Sequence, residues 1–202
     1  MFILYAVVIG LVLGLALGGR LSGLASIDFR WPWLAIAGFA VQVVLFSDAG
    51  SAAAGAAGPP IYVASTAAVL VAVLRNVRIP GLAVVAAGAA SNLIAIVGNG
   101  GYMPASAGAF EALGRGPNPG YTNSAVVESP AFEPLTDLFA LPAWVPFANV
   151  FSIGDVLIGL GVVIVLVAGM RRGRRPPAAR RIRKGVPDDP GALDGPALRG
   201  RG

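Results

Sequence analysis

Residues 153–170 read IGDVLIGLGVVIVLVAGM, and residues 171–184, which follow at once, read RRGRRPPAARRIRK. The apolar run is close to the roughly 20 residues that a helix needs to cross a bilayer. The eight basic residues after it are not interrupted by an acid, and such a segment is typical of the cytoplasmic end of a span. The two segments together predict a transmembrane helix whose carboxyl end faces the cytoplasm.

Four more apolar runs precede this one, near residues 2–19, 31–46, 59–74 and 79–97. The run at 59–74 is the shortest, and it reaches the length of a span only with part of the alanine-rich stretch 52–57. Trp31 and Trp33, at the start of the second run, suit the headgroup interface. The pattern predicts an all-α integral membrane protein, with a bundle of about five transmembrane helices in residues 1–170.

The segments that follow the five runs differ in positive charge. In chain order they hold two, none, two, one and ten basic residues. Because basic residues near short loops and span ends stay cytoplasmic, every segment predicts the same orientation. We expect the N-terminus outside the cell membrane, a long extracytoplasmic loop at 99–151 and a cytoplasmic tail at 171–202.

The composition excludes most familiar catalytic and metal chemistries. Of the 202 residues, 56% are hydrophobic and 12% are charged, and none is cysteine or histidine. The chain therefore has no disulfide, no thiol nucleophile and no imidazole base, and it lacks the commonest ligands of transition metals. The glycines form neither a P-loop nor a G-x-G-x-x-G motif, so nothing favours nucleotide binding. We predict no cofactor, no metal ion and no catalytic residue.

Two features predict contacts between the helices. Gly10, Gly14 and Gly18 recur every four residues, a spacing that lets two helix backbones approach closely. Because five helices supply partners within one chain, we expect this face to pack inside the bundle rather than in a homodimer. Gln42 lies inside the second run, where we expect a hydrogen bond to another helix; a substrate contact is the alternative. Asn92 is a second side-chain amide inside an apolar run, and it lies in the fourth run.

The 53 residues 99–151 form the long connection between the fourth and fifth runs. A loop of this length is usually functional or disordered. It carries one basic residue, Arg115, against four acids: Glu111, Glu128, Glu133 and Asp137.

The last part of this loop, residues 133–150, is apolar and aromatic. Pro142 and Pro146 interrupt it, so a sixth span is not expected. We expect a short helix that lies on the outer interface, or a re-entrant segment covered by protein.

Two short motifs stand at the ends of the loop, NGGYMP at 99–104 and FSIGD at 151–155. The second has the S-x-x-D spacing of a capping box at a helix start, and the glycines of the first suit a helix stop. The simple interpretation is therefore a helix stop, a turn and a helix start. The alternative is a polar cluster at the outer face that binds a ligand. The candidate members of that cluster are Asn99, Gly100, Gly101, Met103, Asp137, Ser152 and Asp155.

The tail at 171–202 predicts contact with lipid and with no nucleic acid. Its basic segment has no aromatic residue that could stack on a base. Residues 185–202 lack an apolar period, and we expect them to be disordered. The residues expected to contact headgroups of anionic inner-leaflet lipids are Arg171, Arg172, Arg174, Arg175, Arg180, Arg181, Arg183 and Lys184.

Four motifs together carry a resemblance to a known family: GGRLS at 18–22, RWPW at 30–33, NGGYMP at 99–104 and FSIGD at 151–155. The chain resembles a bacterial family of small multi-pass membrane proteins of unknown function. The resemblance covers about residues 1–170. It implies a bacterial inner-membrane protein, and it assigns neither an activity nor a site residue.

Three functions remain open from the sequence. The first is a non-catalytic binding or scaffold role, in which the outer loop contacts a protein partner in the envelope. The second is a small-solute permease or channel, suggested by Gln42, Asn92 and Asp155. The third is a membrane hydrolase or transferase that uses the loop carboxylates. We favour the first, because no complete catalytic motif is present.

Overall fold

The computed structural model describes residues 2–113 and 124–172, and these residues are mostly helical. The α-helices are α1 Phe2–Ala16, α2 Pro32–Leu45, α3 Asp48–Ala54, α4 Gly58–Arg75, α5 Leu82–Gly98, α6 Ala107–Ala112 and α7 Ile153–Arg172. Short 3-10 helices lie at Leu21–Ser26, Gly55–Ala57 and Glu133–Leu135. The strands are β1 Met103–Ala105, β2 Ser124–Val126, β3 Phe139–Ala140 and β4 Val150–Phe151. β1 pairs with β2 in parallel, and β3 pairs with β4 antiparallel, so the long loop is not purely helical.

Two helical segments are long and apolar enough to cross a membrane, Asp48–Arg75 and α7. The first joins α3, a 3-10 turn and α4, so the third run does extend into the alanine-rich stretch. α1, α2 and α5 are apolar but shorter. α1 ends at Ala16 rather than near residue 19, because Gly18 has a φ of 72°, a left-handed conformation that cannot continue the helix.

The five apolar helices pack in the order α1, α7, α5, α4 and α2. α1 and α7 run parallel, since Gly10 lies against Leu166 while Gly14 lies against Met170 one turn further along both helices. Packing of this glycine face inside the bundle is thus confirmed at Gly10 and Gly14. Gly18 lies beyond the end of the helix.

α5 and α7 run antiparallel and approach each other closely. Gly81, before α5, lies against Gly161, and Gly88 lies against Gly154. A Cβ atom at Gly88 would be 2.4 Å from the carbonyl oxygen of Gly154. Glycines at these positions therefore allow backbone contact that any larger side chain would prevent.

α4 packs antiparallel to both α5 and α2. Tyr62, near the start of α4, shares a buried cluster with Ile96 near the end of α5. Between α2 and α4, Nε2 of Gln42 donates a hydrogen bond of 3.2 Å to Oγ1 of Thr66. The expected bond from Gln42 across helices is confirmed.

This alternation gives the bundle two chemically different ends. The starts of α1, α4 and α7 meet the ends of α2 and α5 at one end, here called the loop end. The opposite end, here called the arginine end, is held by contacts such as the 2.9 Å bond from the Arg20 N–H to the Met170 carbonyl. The arginines that the structure describes all lie there: Arg20, Arg30, Arg75, Arg78, Arg171 and Arg172.

Residues 99–113 and 124–152 form a compact unit at the loop end, here called the cap. The prediction of a short interfacial helix within residues 133–150 is wrong, because this segment forms a 3-10 turn and the hairpin of β3 and β4. The two prolines, Pro142 and Pro146, lie in the connection between these strands. They lack the N–H groups that a helix would need there.

Large apolar side chains cover the outward faces of the helices. Ile36 and Val43 on α2 are 67% and 74% exposed, and Val12 on α1 is 59% exposed. Soluble monomers rarely expose contiguous apolar patches of large area. Such a surface is typical of a protein whose helices are surrounded by lipid or by a partner.

Candidate functional site

α7 begins with a reciprocal capping box. The Asp155 N–H donates to Oγ of Ser152 at 3.0 Å, and the Ser152 N–H donates to Oδ2 of Asp155 at 3.1 Å. The first N–H groups of a helix have no partner within it, so these bonds stabilise the helix start. The capping box predicted from the spacing of Ser152 and Asp155 is confirmed.

Asn92 on α5 links this box to the neighbouring helix. Its Nδ2 donates to Oδ1 of Asp155 at 2.9 Å, and its Oδ1 accepts a 2.9 Å bond from Oγ of Ser152. Gly154 leaves the space for this amide, because a Cβ atom there would be 1.8 Å from Oδ1 of Asn92. The three side chains form a closed hydrogen-bond network at the loop end.

Asp137 brings a second carboxylate from the cap. The side chain is buried, with 4% exposure. The Asp137 N–H donates to the Pro104 carbonyl at 2.8 Å, and the Asp137 carbonyl accepts from the Ser106 N–H at 3.1 Å. Its Oδ2 accepts a 2.9 Å bond from Oγ of Ser124. Asp137 therefore holds β1, β2 and the segment before β3 together.

The electrostatics of Asp137 favour its protonated form. Its pKa is raised from 3.8 to about 7, mainly because burial removes water from the charged carboxylate. The negative charge of Asp155 raises the pKa as well, while the bond from Ser124 lowers it. The arginines described by the structure lie at the other end of the bundle and do not neutralise this pair. The carboxyl of Asp137 can therefore bind a proton near neutral pH.

Asn99 ends α5 and attaches the cap to it. Its Nδ2 donates to the carbonyls of Ala95 at 2.7 Å and Ala131 at 2.9 Å, and its Oδ1 accepts from the Ala131 N–H at 2.8 Å. Gly100 and Gly101 follow with φ values of 69° and 91°. This geometry is that of a helix stop, where glycine is favoured because it has no side chain to clash.

The next residues pack the cap onto α4. The Gly101 N–H donates to the Ile96 carbonyl at 2.8 Å, and a Cβ atom at Gly101 would be 2.5 Å from Cβ of Pro59. Met103 is buried in one cluster with Leu45, Tyr62, Ala95 and Ile96. Gly101 and Met103 therefore contribute to packing.

The seven predicted cluster residues thus divide into two groups. Ser152 and Asp155 bond to each other at the start of α7, and Asp137 lies near enough for the charge of Asp155 to raise its pKa. Asn99, Gly100, Gly101 and Met103 belong to the helix stop and its contact with α4. Ligand binding by either group stays a prediction.

Sequence reasoning missed Asn92 and Ser124 as members of the first group. Asn92 carried a usable signal, because it lies seven residues before Asn99 on α5. Seven residues are about two helical turns, which places Asn92 on the same face near the loop end. Ser124 carried no comparable signal.

The remaining charged candidates lie at the surface. Glu111, Glu128 and Glu133 are exposed on the cap, and Arg171 and Arg172 are exposed at the end of α7. The other predicted headgroup contacts lie outside the described residues: Arg174, Arg175, Arg180, Arg181, Arg183 and Lys184. Within residues 2–113 and 124–172, no group of three or more acidic side chains could hold a metal ion.

Comparison with known proteins identifies a family but no activity. No curated protein and no solved structure matches the chain. Residues 26–167 match a family described as "Family of unknown function (DUF5317)". This match begins after α1 and ends within α7, so it includes both groups of candidate site residues. The chain therefore belongs to the DUF5317 family.

Proposed function

We propose that the chain crosses the bacterial inner membrane five times, with its N-terminus outside and its C-terminus in the cytoplasm. The grouping of the described arginines at one end of the bundle supports this orientation. The exposed apolar faces of α1 and α2 support contact with lipid. At 1.5 Å per residue, the three shorter helices reach about 21–26 Å, a modest mismatch to a core of about 30 Å.

Reporter fusions test this topology. Alkaline phosphatase fused after Glu128 should be active, because it folds outside, and green fluorescent protein fused after Arg180 should fluoresce in the cytoplasm. A fluorescent fusion after Arg78 is the internal control for the arginine end. Fusions that place Glu128 and Arg180 on the same side would contradict the proposal.

Within this topology, the function that fits best is a non-catalytic binding or scaffold role in which the cap contacts an envelope protein. The observation that carries it is the attachment of the cap at two separate places. Asn99 bonds to Ala131, and Asn92 bonds to Ser152 and Asp155. A cap fixed in this way presents its exposed acids in one arrangement, which suits a partner with basic groups.

Photo-crosslinking in living cells tests the scaffold role. A photoreactive amino acid at Val126, which is exposed on the cap, should give a discrete protein adduct. Charge reversal in the triple variant Glu111→Lys, Glu128→Lys and Glu133→Lys should remove that adduct. The same label at Val43 on α2 is the control, and the charge reversal should not change the adducts formed there. An adduct at Val126 that persists unchanged in the charge-reversed variant would contradict an acidic binding surface.

A proton-coupled permease or channel is the second candidate. It is favoured by one observation: the charge of Asp155, half-buried at the start of α7, raises the pKa of Asp137, which is buried in the cap. An acid at the start of a membrane-spanning helix often marks an ion pathway. Proton flux into proteoliposomes, followed with an enclosed pH dye, should be lost in Asp155→Ala and retained in Glu128→Ala. Flux that is insensitive to Asp155→Ala would count against this candidate.

The third hypothesis, a membrane hydrolase or transferase, stays a prediction. It would need two carboxylates that converge on a substrate. Glu111, Glu128 and Glu133 are exposed on the cap. Asp137 is buried, and the nearby charge of Asp155, at the start of α7, raises its pKa.

A further inference from the structure

The hairpin of β3 and β4 carries the two most exposed aromatic side chains of the described cap. Phe139 pairs with Phe151, and Ala140 pairs with Val150. The connection between the strands, residues 141–149, reads LPAWVPFAN and has no charged residue. Trp144 is 84% exposed and Phe147 is 68% exposed. An uncharged tip with two exposed aromatic rings is unusual on a surface that faces only water.

This hairpin lies beside the first turns of α1. The ring of Phe2 stacks on Phe151 with centroids 4.6 Å apart, and Phe151 stacks on Phe139 at 5.5 Å. The hydroxyl of Tyr5 donates to the carbonyl of Pro146. The tip therefore lies beside the first turn of α1.

The part of α1 next to this contact is itself apolar and exposed. Leu4, Val8 and Ile9 have exposed side chains on either side of Tyr5 in the sequence. If α1 crosses the membrane, these residues face lipid near its outer surface. The hairpin tip must then lie in the same layer, since Tyr5 bonds to it directly.

We propose that residues 141–149 form a membrane anchor, which places Trp144 and Phe147 in the headgroup layer of the outer leaflet beside α1. This inference rests on the five-span topology proposed above. Tryptophan favours that layer because its ring is apolar while its indole N–H can bond to water or to lipid oxygens. Lipid is the expected occupant because the tip is uncharged and lies level with a lipid-facing helix. The anchor would fix the height of the cap above the bilayer.

Tryptophan fluorescence of the full chain in lipid vesicles tests the anchor. In the variant Trp31→Phe/Trp33→Phe, Trp144 is the remaining tryptophan. In unmodified lipid, the emission of Trp144 should be blue-shifted. In lipids brominated near the headgroup, the same emission should be largely quenched. Lipids brominated near the acyl end should quench it less. A photoreactive amino acid at position 144 of the otherwise unchanged chain should give lipid adducts in cells.

Two control variants separate this inference from the topology. Both start from a chain in which Trp31, Trp33 and Trp144 are all phenylalanine. Glu128→Trp on the cap should be quenched by aqueous iodide and not by lipid, whereas Phe39→Trp on α2 should be quenched by deep bromine.

The outcomes then separate the two proposals. Quenching of the Phe39→Trp variant without quenching of Trp144 would overturn the anchor and leave the five spans intact. If brominated lipid quenches neither Trp144 nor the tryptophan of the Phe39→Trp variant, the topology fails together with the anchor. A protein adduct instead of a lipid adduct at position 144 would also overturn the anchor.

Discussion

Asp137 makes the stability of the cap depend on pH. Its pKa is about 7 in the folded protein, against 3.8 for an ordinary aspartate. Between these values the folded chain binds a proton more tightly than the unfolded chain. The contribution of this carboxyl to the free energy of unfolding is therefore fully present below pH 3.8 and falls as the pH rises toward 7, by at most about 1.4 kcal/mol per pH unit. Above pH 7 this carboxyl causes little further loss.

The variant Asp137→Asn should remove most of this dependence, because an amide has no proton to lose and can still accept the bond from Ser124. Thermal unfolding of the detergent-solubilised protein between pH 4 and pH 8 measures the effect. Glu128→Gln, at an exposed acid, is the control and should keep the wild-type slope. An unchanged slope in Asp137→Asn would assign the pH dependence to other groups.

Gly154 is the residue whose enlargement should most directly disrupt the Asn92 network. In Gly154→Ala the new Cβ atom would lie 1.8 Å from Oδ1 of Asn92, so the amide must move and its bonds to Ser152 and Asp155 are weakened. Overpacking of this kind costs about 1–3 kcal/mol. The melting temperature of the purified protein should fall accordingly.

The control for this prediction is Gly108→Ala on α6, where an added Cβ atom meets nothing within 4 Å. Its melting temperature should stay the same or rise slightly, since alanine is the better helix former. Equal melting temperatures for the two variants would mean that the Asn92 network contributes little to stability.

The candidate site was predictable in part, and distance along the chain explains the limit. Ser152 and Asp155 are three residues apart, so their spacing alone indicates the capping box. Asn92 lies 60 residues from Ser152. Their contact depends on how α5 and α7 pack, which no local pattern specifies. Asp137 reaches the same region only because the cap folds back on the bundle.

At the scale of the helices, Asn76 connects the end of α4 to the start of α2. Its side chain accepts from the Arg30 N–H at 2.7 Å and donates to the carbonyls of Arg30 and Ala72 at 2.7 and 2.8 Å. Asn76→Ala would remove these three bonds. The bond to Ala72 is buried, and an unpaired buried group costs about 1–3 kcal/mol. We expect a clear loss of thermal stability in detergent.

Gln42→Ala is the matched variant for this prediction. It removes one amide from the same pair of helices, with a single bond of 3.2 Å to Thr66. Its melting temperature should fall by less than that of Asn76→Ala. The reverse order would show that the contact in the middle of the two helices matters more than the connection at the arginine end.

The apolar runs predicted the main helices, while their ends and the fold of the loop depended on particular residues. Gly18 stops α1 early through its left-handed backbone. The third run is longer than its apolar residues suggest, because Asp48–Arg75 stays helical. Residues 133–150 are apolar enough for an interfacial helix, but Phe139 and Phe151 pair as strands instead. Strand pairing between residues 12 apart along the chain is not visible in a helical pattern.

For the whole molecule, the direction of α7 relative to α1 is the decisive feature. If five helices cross in alternation, the first and fifth must run parallel, whereas an even number of crossings would make them antiparallel. Gly159 on α7 lies against Ala6 on α1, where its Cβ atom would be 3.2 Å from that of Ala6. Both residues lie toward the starts of their helices, as a parallel pair requires.

A disulfide tests this arrangement, because the chain has no cysteine of its own. The variant Ala6→Cys/Gly159→Cys should form a bond in membranes treated with oxidant, since Cβ atoms within about 3.5–4.5 Å suit a disulfide after a small shift. The disulfide is detected as a change in mobility on a denaturing gel, and reductant should reverse that change. The control pair Ala6→Cys/Ala168→Cys places the second cysteine near the arginine end and should stay reduced. A bond in the control pair alone would mean that α1 and α7 run antiparallel, and the alternation on which the five-span topology depends would then be wrong.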